Sequence, residues 1–246
     1  MFRLDHKVAI VTGAAQGLGA ATARTLAAQG ASVALADLDL AAAQGVAAEC
    51  GPAARAYRVD VAQVAELKAF AAQVARDFGR IDILVNNAGI CPRLPFADST
   101  EEDWDRLVDV NAKSQYFLMQ AVCPVMKGQG GGRIINVAST GGRTGAIVNA
   151  SIYSGTKGAI AMFTKSVARE VAADHILVNC IAPGVMDTEI MRKFPADQVQ
   201  AICERIPLKR LGQPREIAAV IAFMASDECS YCTGATFDIN GGWLML

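Results

Sequence analysis

The sequence predicts an α/β fold: a doubly wound, seven-stranded parallel sheet with helices on both faces. Short apolar runs alternate with longer amphipathic or Ala-rich segments along the whole chain. The short runs are bounded by Gly, Pro, Asn or Asp, as buried parallel strands are. No linker, low-complexity tract or composition break divides the 246 residues, so a single domain over 1–246 is expected.

The elements follow in order. Val8–Val11 reads as a strand and Leu18–Gln29 as the helix returning from it. Ser32–Ala36 is the second strand, followed by helix Leu40–Glu49, with Asp39 placed to cap it. Strand Ala54–Val59, helix Val64–Phe78 and strand Ile83–Val85 come next. The Ala-rich early helices suit close packing on a sheet. Two long helices, Glu102–Met126 and Tyr153–Ala173, enclose strand Arg133–Val137. Strand Leu177–Ile181, a helix over Arg215–Ser226 and strand Ala235–Ile239 complete the series, and Pro214 marks the last helix start. The stretch 186–207 is polar, breaks the alternation and follows Pro183-Gly184, which makes it a candidate lid over a site.

Composition narrows the function classes. Apolar residues are 52% of the chain, charged residues 19%, and the net charge is -1. Without a basic face or Lys/Arg run, nucleic acid and anionic membranes are not expected partners. No apolar stretch reaches the length of a membrane span, and the N-terminal residues run straight into a strand, so a cytoplasmic protein is expected. The seven cysteines are scattered and expected to be reduced; Cys229 and Cys232 form a C-x-x-C that reads as two small residues in a helix-to-strand turn rather than as a redox pair or half a metal site. His6 and His175 are the only histidines, so zinc-dependent alcohol chemistry is poorly supported and no metal is expected.

The chemistry-bearing residues cluster at predicted strand ends. Between the first strand and first helix lies Thr12-Gly13-Ala14-Ala15-Gln16-Gly17-Leu18-Gly19. Glycines there allow a tight turn and let backbone approach a pyrophosphate at a helix N-terminus. Asp37 ends the second strand, where a carboxylate can accept from both ribose hydroxyls of an adenosine and repel a 2′-phosphate. No Lys or Arg stands at Gln16 or Leu38, so NAD is favoured over NADP. Asp60-Val61 ends the third strand and Asn86-Asn87-Ala88-Gly89 the fourth, both at the edge where open α/β sheets bind ligands. Further on, Tyr153 and Lys157 stand four apart on a predicted helix and so share one face, with Ser139 fourteen residues before Tyr153. A nearby ammonium favours the phenolate and makes tyrosine a usable acid and base.

In combination these motifs resemble the short-chain dehydrogenase/reductase family, over essentially the whole chain. The resemblance rests on Thr12-Gly13-x-x-x-Gly17-x-Gly19, Asp60, Asn86-Asn87-Ala88-Gly89, Asn111, Ser139, Tyr153-x-x-x-Lys157 and Pro183-Gly184 with Thr188. It implies a Rossmann fold and a catalytic set of Asn111, Ser139, Tyr153 and Lys157. Ser139 would polarise the substrate oxygen, Tyr153 act as acid/base, Lys157 hold the nicotinamide ribose, and Asn111 anchor a relay water. Gly13, Gln16, Gly17, Leu18, Gly19, Asp37, Leu38, Asp60, Val61, Asn87, Ala88, Gly89 and Ile90 would line the cofactor cleft. Tyr153, Lys157, Pro183, Gly184, Val185 and Thr188 would meet its nicotinamide end. The resemblance also implies a homotetramer built on the two long helices. For the substrate it points to Cys91–Leu94, Thr140–Arg143, Asn149–Ile152, Val185, Met186, the lid and the tail from Trp243. Within those stretches Arg93, Leu94, Thr140, Gly141, Arg143, Asn149 and Met186 are the candidate contacts.

The reaction implied is reversible oxidation of a secondary alcohol (polyol, sugar or small alicyclic or aliphatic alcohol) with NAD. A 3-oxoacyl-thioester reductase is the alternative. Its fatty-acid biosynthetic version normally prefers NADPH and a basic docking face, which Asp37 and the near-neutral charge disfavour. A non-catalytic NAD(H) sensor is a third reading, disfavoured by the complete tetrad.

Overall fold

The computed structural model describes residues 2–145, 148–192 and 194–246. Seven parallel strands are ordered β3-β2-β1-β4-β5-β6-β7. They are β1 Val8–Thr12, β2 Ser32–Asp37, β3 Ala54–Arg58, β4 Ile83–Asn86, β5 Gly132–Val137, β6 Ile176–Pro183 and β7 Thr236–Ile239. The order reverses between β1 and β4, and the crevice above that point is where such sheets hold ligands.

Alternation along each strand feeds two cores. Ala9, Val11, Val33, Leu35, Ile83 and Val85 face one side, where α1 (Gly17–Ala28), α2 (Leu40–Cys50) and α10 (Pro214–Ala225) pack. Val8, Ile10, Ala34, Leu84, Ile134 and Val178 face the other, beneath α3 (Val64–Phe78), α5 (Ser114–Gly128) and α7 (Ser151–Val171). Ala23, Ala43 and Ala47 in the first two helices are buried, which brings their backbones close to the sheet as expected.

Three local features depart from the expected pattern. The helix read as Glu102–Met126 is divided: α4 (Glu101–Val108) and α5 are joined by a π-helical turn, Asp109–Lys113. A short helix, α6 (Gly141–Thr144), follows β5. The stretch 186–207 is not structureless: it forms α8 (Glu189–Arg192) and α9 (Ala196–Arg205), while Lys193 within it lies outside the described residues. It is anchored at its base, where Asp187 N–H donates to Gly212 O and Gly212 N–H to Val185 O, at 2.8 and 3.0 Å.

Candidate active site

Four strand ends build one rim. Beyond β1 the chain turns through Gly13 and enters α1 behind Gln16, whose extended backbone makes no side-chain cap. The first-turn N–H groups of α1 are therefore left for an anion. A Cβ on Gly19 would stand 2.0 Å from Gly13 O, so only glycine lets the first turn of α1 lie on the loop. Leu18 points the other way, into the core, and offers only its backbone to the cleft.

The loop is locked from β4. The Asn87 amide donates to Thr12 O and Gly13 O at 2.9 and 3.1 Å. Thr12 Oγ1 accepts from the N–H groups of Asn87 and Ala88 at 3.0 and 3.1 Å. Thr12 belongs to the motif, yet its bracing role was not foreseen, because it depends on two strands distant in sequence. Asp37 Oδ2 accepts from Ala15 N–H at 2.9 Å and its Oδ1 from Asp39 N–H at 3.1 Å. The carboxylate is thus fixed at the end of β2, against the glycine-rich turn. Asp39 caps α2, accepting from Ala42 N–H at 3.0 Å, so Asp37 is not needed for that job. Leu38 beside it is exposed and brings no cation. At the end of β3, Asp60 Oδ1 accepts from Ala62 N–H at 3.0 Å while Val61 is buried. A glycine turn, an uncapped helix start and an oriented acid together fit a dinucleotide.

The second half of the site converges on Lys157, which is buried and donates from Nζ to Val137 O at 2.8 Å. Its ammonium lies 5.8 Å from the centre of the Tyr153 ring. A Cβ on Gly89 would meet Asn111 Oδ1 at 3.2 Å and Lys157 Nζ at 3.4 Å, so these three sit together. Asn111 is fully buried in the π turn. It clasps Ile90, accepting from its N–H at 2.8 Å and donating to its carbonyl at 2.9 Å. The same Asn111 amide reaches Thr156 Oγ1 at 3.3 Å, and Thr156 donates to Tyr153 O at 2.7 Å. Thr156, one residue before Lys157, was missed; it couples the asparagine to the tyrosine's turn of α7. A π turn repositions side chains relative to an α register, and such turns concentrate at functional sites.

Ser139, at the end of β5, accepts from Gly141 N–H at 3.0 Å, and its hydroxyl acts on the Tyr153 phenol to favour the ionised form. Gly142, inside the predicted stretch Thr140–Arg143, has a packing role that was not foreseen: a Cβ there would be 2.5 Å from the Lys157 carbonyl carbon, so α6 rests directly on α7. One electrostatic expectation is corrected. Burial pushes the Tyr153 phenol up to about 12, with the Ser139 hydrogen bond opposing, whereas the sequence pointed to depression by Lys157. Burial also drags Lys157 down to about 8, and its proton is directed at Val137 O rather than at the phenol.

The predicted substrate residues are less tightly gathered. Leu94 N–H donates to Asn149 O at 2.7 Å, joining the loop after β4 to the one before α7; Asn149 itself has φ +57°. Arg93 donates to Val148 O at 2.9 Å, and Arg143 pairs with Asp238 of β7 at 3.4 Å. Both arginines thus have protein partners. Thr140 and Gly141 are buried beside Ser139, and Thr140 N–H donates to Pro183 O at 3.0 Å. That bond ties the serine segment to Pro183, the first of the expected nicotinamide contacts Pro183, Gly184, Val185 and Thr188. Thr188 starts the turn into α8, its carbonyl accepting from Arg192 N–H at 3.0 Å.

A dinucleotide-binding sheet carrying a Ser-Tyr-Lys cluster defines an oxidoreductase of the nicotinamide-dependent class. Residues 13–244 match the family described as enoyl-(acyl carrier protein) reductase, and the chain belongs to the short-chain dehydrogenase/reductase family. It is 40% identical to galactitol 2-dehydrogenase of Agrobacterium fabrum (strain C58), over 98% of this chain and 99% of that one. It is 38% identical to the 3-oxoacyl-[acyl-carrier-protein] reductase FabG of Thermotoga maritima, over 99% of this chain and all of that one (100%). Sorbitol dehydrogenase of Cereibacter sphaeroides is 37% identical, over 98% and 99%. A crystal structure from Sinorhizobium meliloti 1021, provisionally assigned as a short-chain alcohol dehydrogenase, superposes with a TM-score of 0.93 at 33% identity, covering 98% of each chain.

Proposed function

We propose that the protein is an NAD-dependent dehydrogenase of a polyol, sugar or other small secondary alcohol. The observation that carries the reaction is the convergence of Ser139, Tyr153, Lys157 and Asn111 around one buried corner of the cleft. The observation that favours NAD is the Asp37 carboxylate, oriented at the end of β2 with exposed Leu38 after it and no Lys or Arg at position 16 or 38. Likeness to two polyol dehydrogenases supports the substrate class.

The chain's own groups divide the work. Ser139 donates to the reacting oxygen and orients it, and Tyr153 takes or returns the proton at that oxygen. Lys157 supplies buried positive charge beside the phenol, and Asn111 fixes the Ile90 backbone that borders them. When bound, the nicotinamide supplies the hydride acceptor. Thr12, Gly13, Gln16, Gly17, Gly19, Asp60, Asn87, Ala88 and Gly89 would hold the dinucleotide, and Val185 and Thr188 would border its reactive end. The segment 186–207 closes over the substrate. We further propose self-association through α4, α5 and α7, whose outer faces expose Trp104, Tyr116 and Met162. Light scattering would report the assembly.

The test is NADH fluorescence with NAD and NADP in parallel, across polyols, sugars, simple secondary alcohols and 3-hydroxyacyl thioesters. Turnover of a polyol or simple alcohol with NAD is expected. Substituting Tyr153→Phe is expected to lower turnover by roughly 10²–10⁴-fold while leaving NADH binding intact. Substantial activity in that variant would sink the assignment. Likeness to FabG favours one second reading, a 3-oxoacyl-thioester reductase; thioester turnover with NADP preferred would establish it instead.

A further inference from the structure

The C-x-x-C at Cys229 and Cys232 is not used by the catalytic reading, and the structure gives it a geometry of its own. Cys232 N–H donates to Cys229 O at 3.2 Å, and Ser230 between them has φ -65° and ψ -14°. This is a hydrogen-bonded reverse turn with the first central residue of type I. Such a turn holds its end Cα atoms within about 7 Å, and a disulfide spans about 4.4–6.8 Å.

The turn is held on both sides. Cys229 is 1% exposed and packs in the core under α10. After the turn, buried Asn179 of β6 donates to Cys232 O at 2.7 Å and accepts from Ala235 N–H at 3.1 Å. Gly234 N–H donates to Val178 O at 2.7 Å. The tip faces outward, with Tyr231 fully exposed and Cys232 only partly covered.

We propose that Cys229 and Cys232 are a reversible disulfide site, closed by exchange with a small-molecule disulfide. The Cys232 sulfur, nearer solvent, loses its proton and attacks one sulfur of the oxidant. A mixed disulfide forms, and the first thiolate leaves and takes up a proton. Cys229 then loses its proton and attacks the Cys232 sulfur, forming the intramolecular bond and releasing the second small thiol. Two protein thiols are oxidised and one small disulfide is reduced to two thiols. Burial pushes the Cys229 thiol up to about 11, which suits it to the resolving position, beside an already bonded sulfur, rather than the attacking one.

The sequence supplies a clean readout. No Lys or Arg follows Arg215, so trypsin releases Glu216–Leu246 with these two cysteines alone. Full-length native protein is treated with oxidised glutathione, quenched, alkylated and digested. The fragment is expected to be lighter by two hydrogens and unalkylated, and a reductant should restore two alkylatable thiols. In Cys229→Ala, Cys232 is expected to retain glutathione. The oxidised wild-type protein should melt no lower than the reduced one. Three results would overturn the proposal: a wild-type fragment that keeps glutathione on Cys232, a fragment alkylated at both positions while exposed Cys91 is modified, or a fall in melting temperature on closure.

Discussion

The rim formed by the ends of β1 to β4 and the second rim, which carries Arg93, Leu94, Arg143 and Asn149, are built differently. In the first, short side chains lock the backbone: Asn87 and Thr12 stitch β4 to the glycine-rich turn, and Gly19 lets α1 rest on it at a distance no side chain permits. In the second, backbone bonds such as Leu94 N–H to Asn149 O are joined by long arginine side chains, Arg143 to Asp238 and Arg93 to Val148 O. A ligand part that never changes can be met by fixed backbone. A part that differs between relatives is met by loops that tolerate substitution. The identity to both polyol dehydrogenases and thioester reductases, 37% to 40%, agrees with that division.

The largest effect should fall on the first rim. In Gly19→Ala the new methyl meets the backbone Gly13 O at 2.0 Å, and the loop cannot give way without losing Asn87. NADH binding, followed by fluorescence, should be abolished. A variant that binds NADH normally would break the contrast between the rims.

Next comes Lys157→Met, which separates stability from turnover. Burial depresses Lys157 from 10.5 to about 8. An unfolded lysine keeps its proton to higher pH, so the unfolded state binds more protons between these values. Wild-type stability therefore rises as pH rises through this window, and below about pH 8 the buried charge is a standing cost. The scale is about 1.4 kcal/mol per unit of depression. Turnover should be lost, while the melting temperature of the variant relative to wild type should be highest at pH 7 and fall toward pH 10. A difference that stays flat with pH would show that Lys157 is not depressed and keeps its proton as an unfolded lysine does.

Asp37→Ala should be intermediate. Hydrogen bonds to a charged group contribute about 1.5–3 kcal/mol, so kcat/KM with NAD should fall roughly 10–100-fold. Turnover with NADP should fall less or rise, because the repulsion is removed. Equal loss with both cofactors would mean that Asp37 only supports the Ala15 turn.

What could be read from the chain follows the same contrast. Strand ends, the glycine turn, Asp37 and the Tyr153–Lys157 pair are local patterns, in which each residue's neighbours in sequence decide its place. The π turn at Asp109–Lys113 could not be read, because it differs from an α-helix by one residue of register and keeps the same apolar pattern. The bracing roles of Thr12, Thr156 and Gly142 were not foreseen because their partners are Asn87, Asn111 and Lys157, each on another element or loop. The depression expected for Tyr153 failed for a related reason: charge proximity follows from spacing, but burial of the phenol follows only from the packed cleft.

The smallest effect should come from Arg143→Ala, and it tests the second rim directly. The guanidinium is 3.4 Å from Asp238, with both side chains about a quarter exposed, at 24% and 23%. A pair so placed contributes on the order of 1 kcal/mol or less. If Arg143 serves only β7, the variant loses a little stability while KM for the alcohol stays unchanged. The partner substitution Asp238→Asn should then match it in melting temperature. If Arg143 also reaches substrate, KM rises in Arg143→Ala but not in Asp238→Asn, and the second rim gains one fixed contact that its loops alone do not provide.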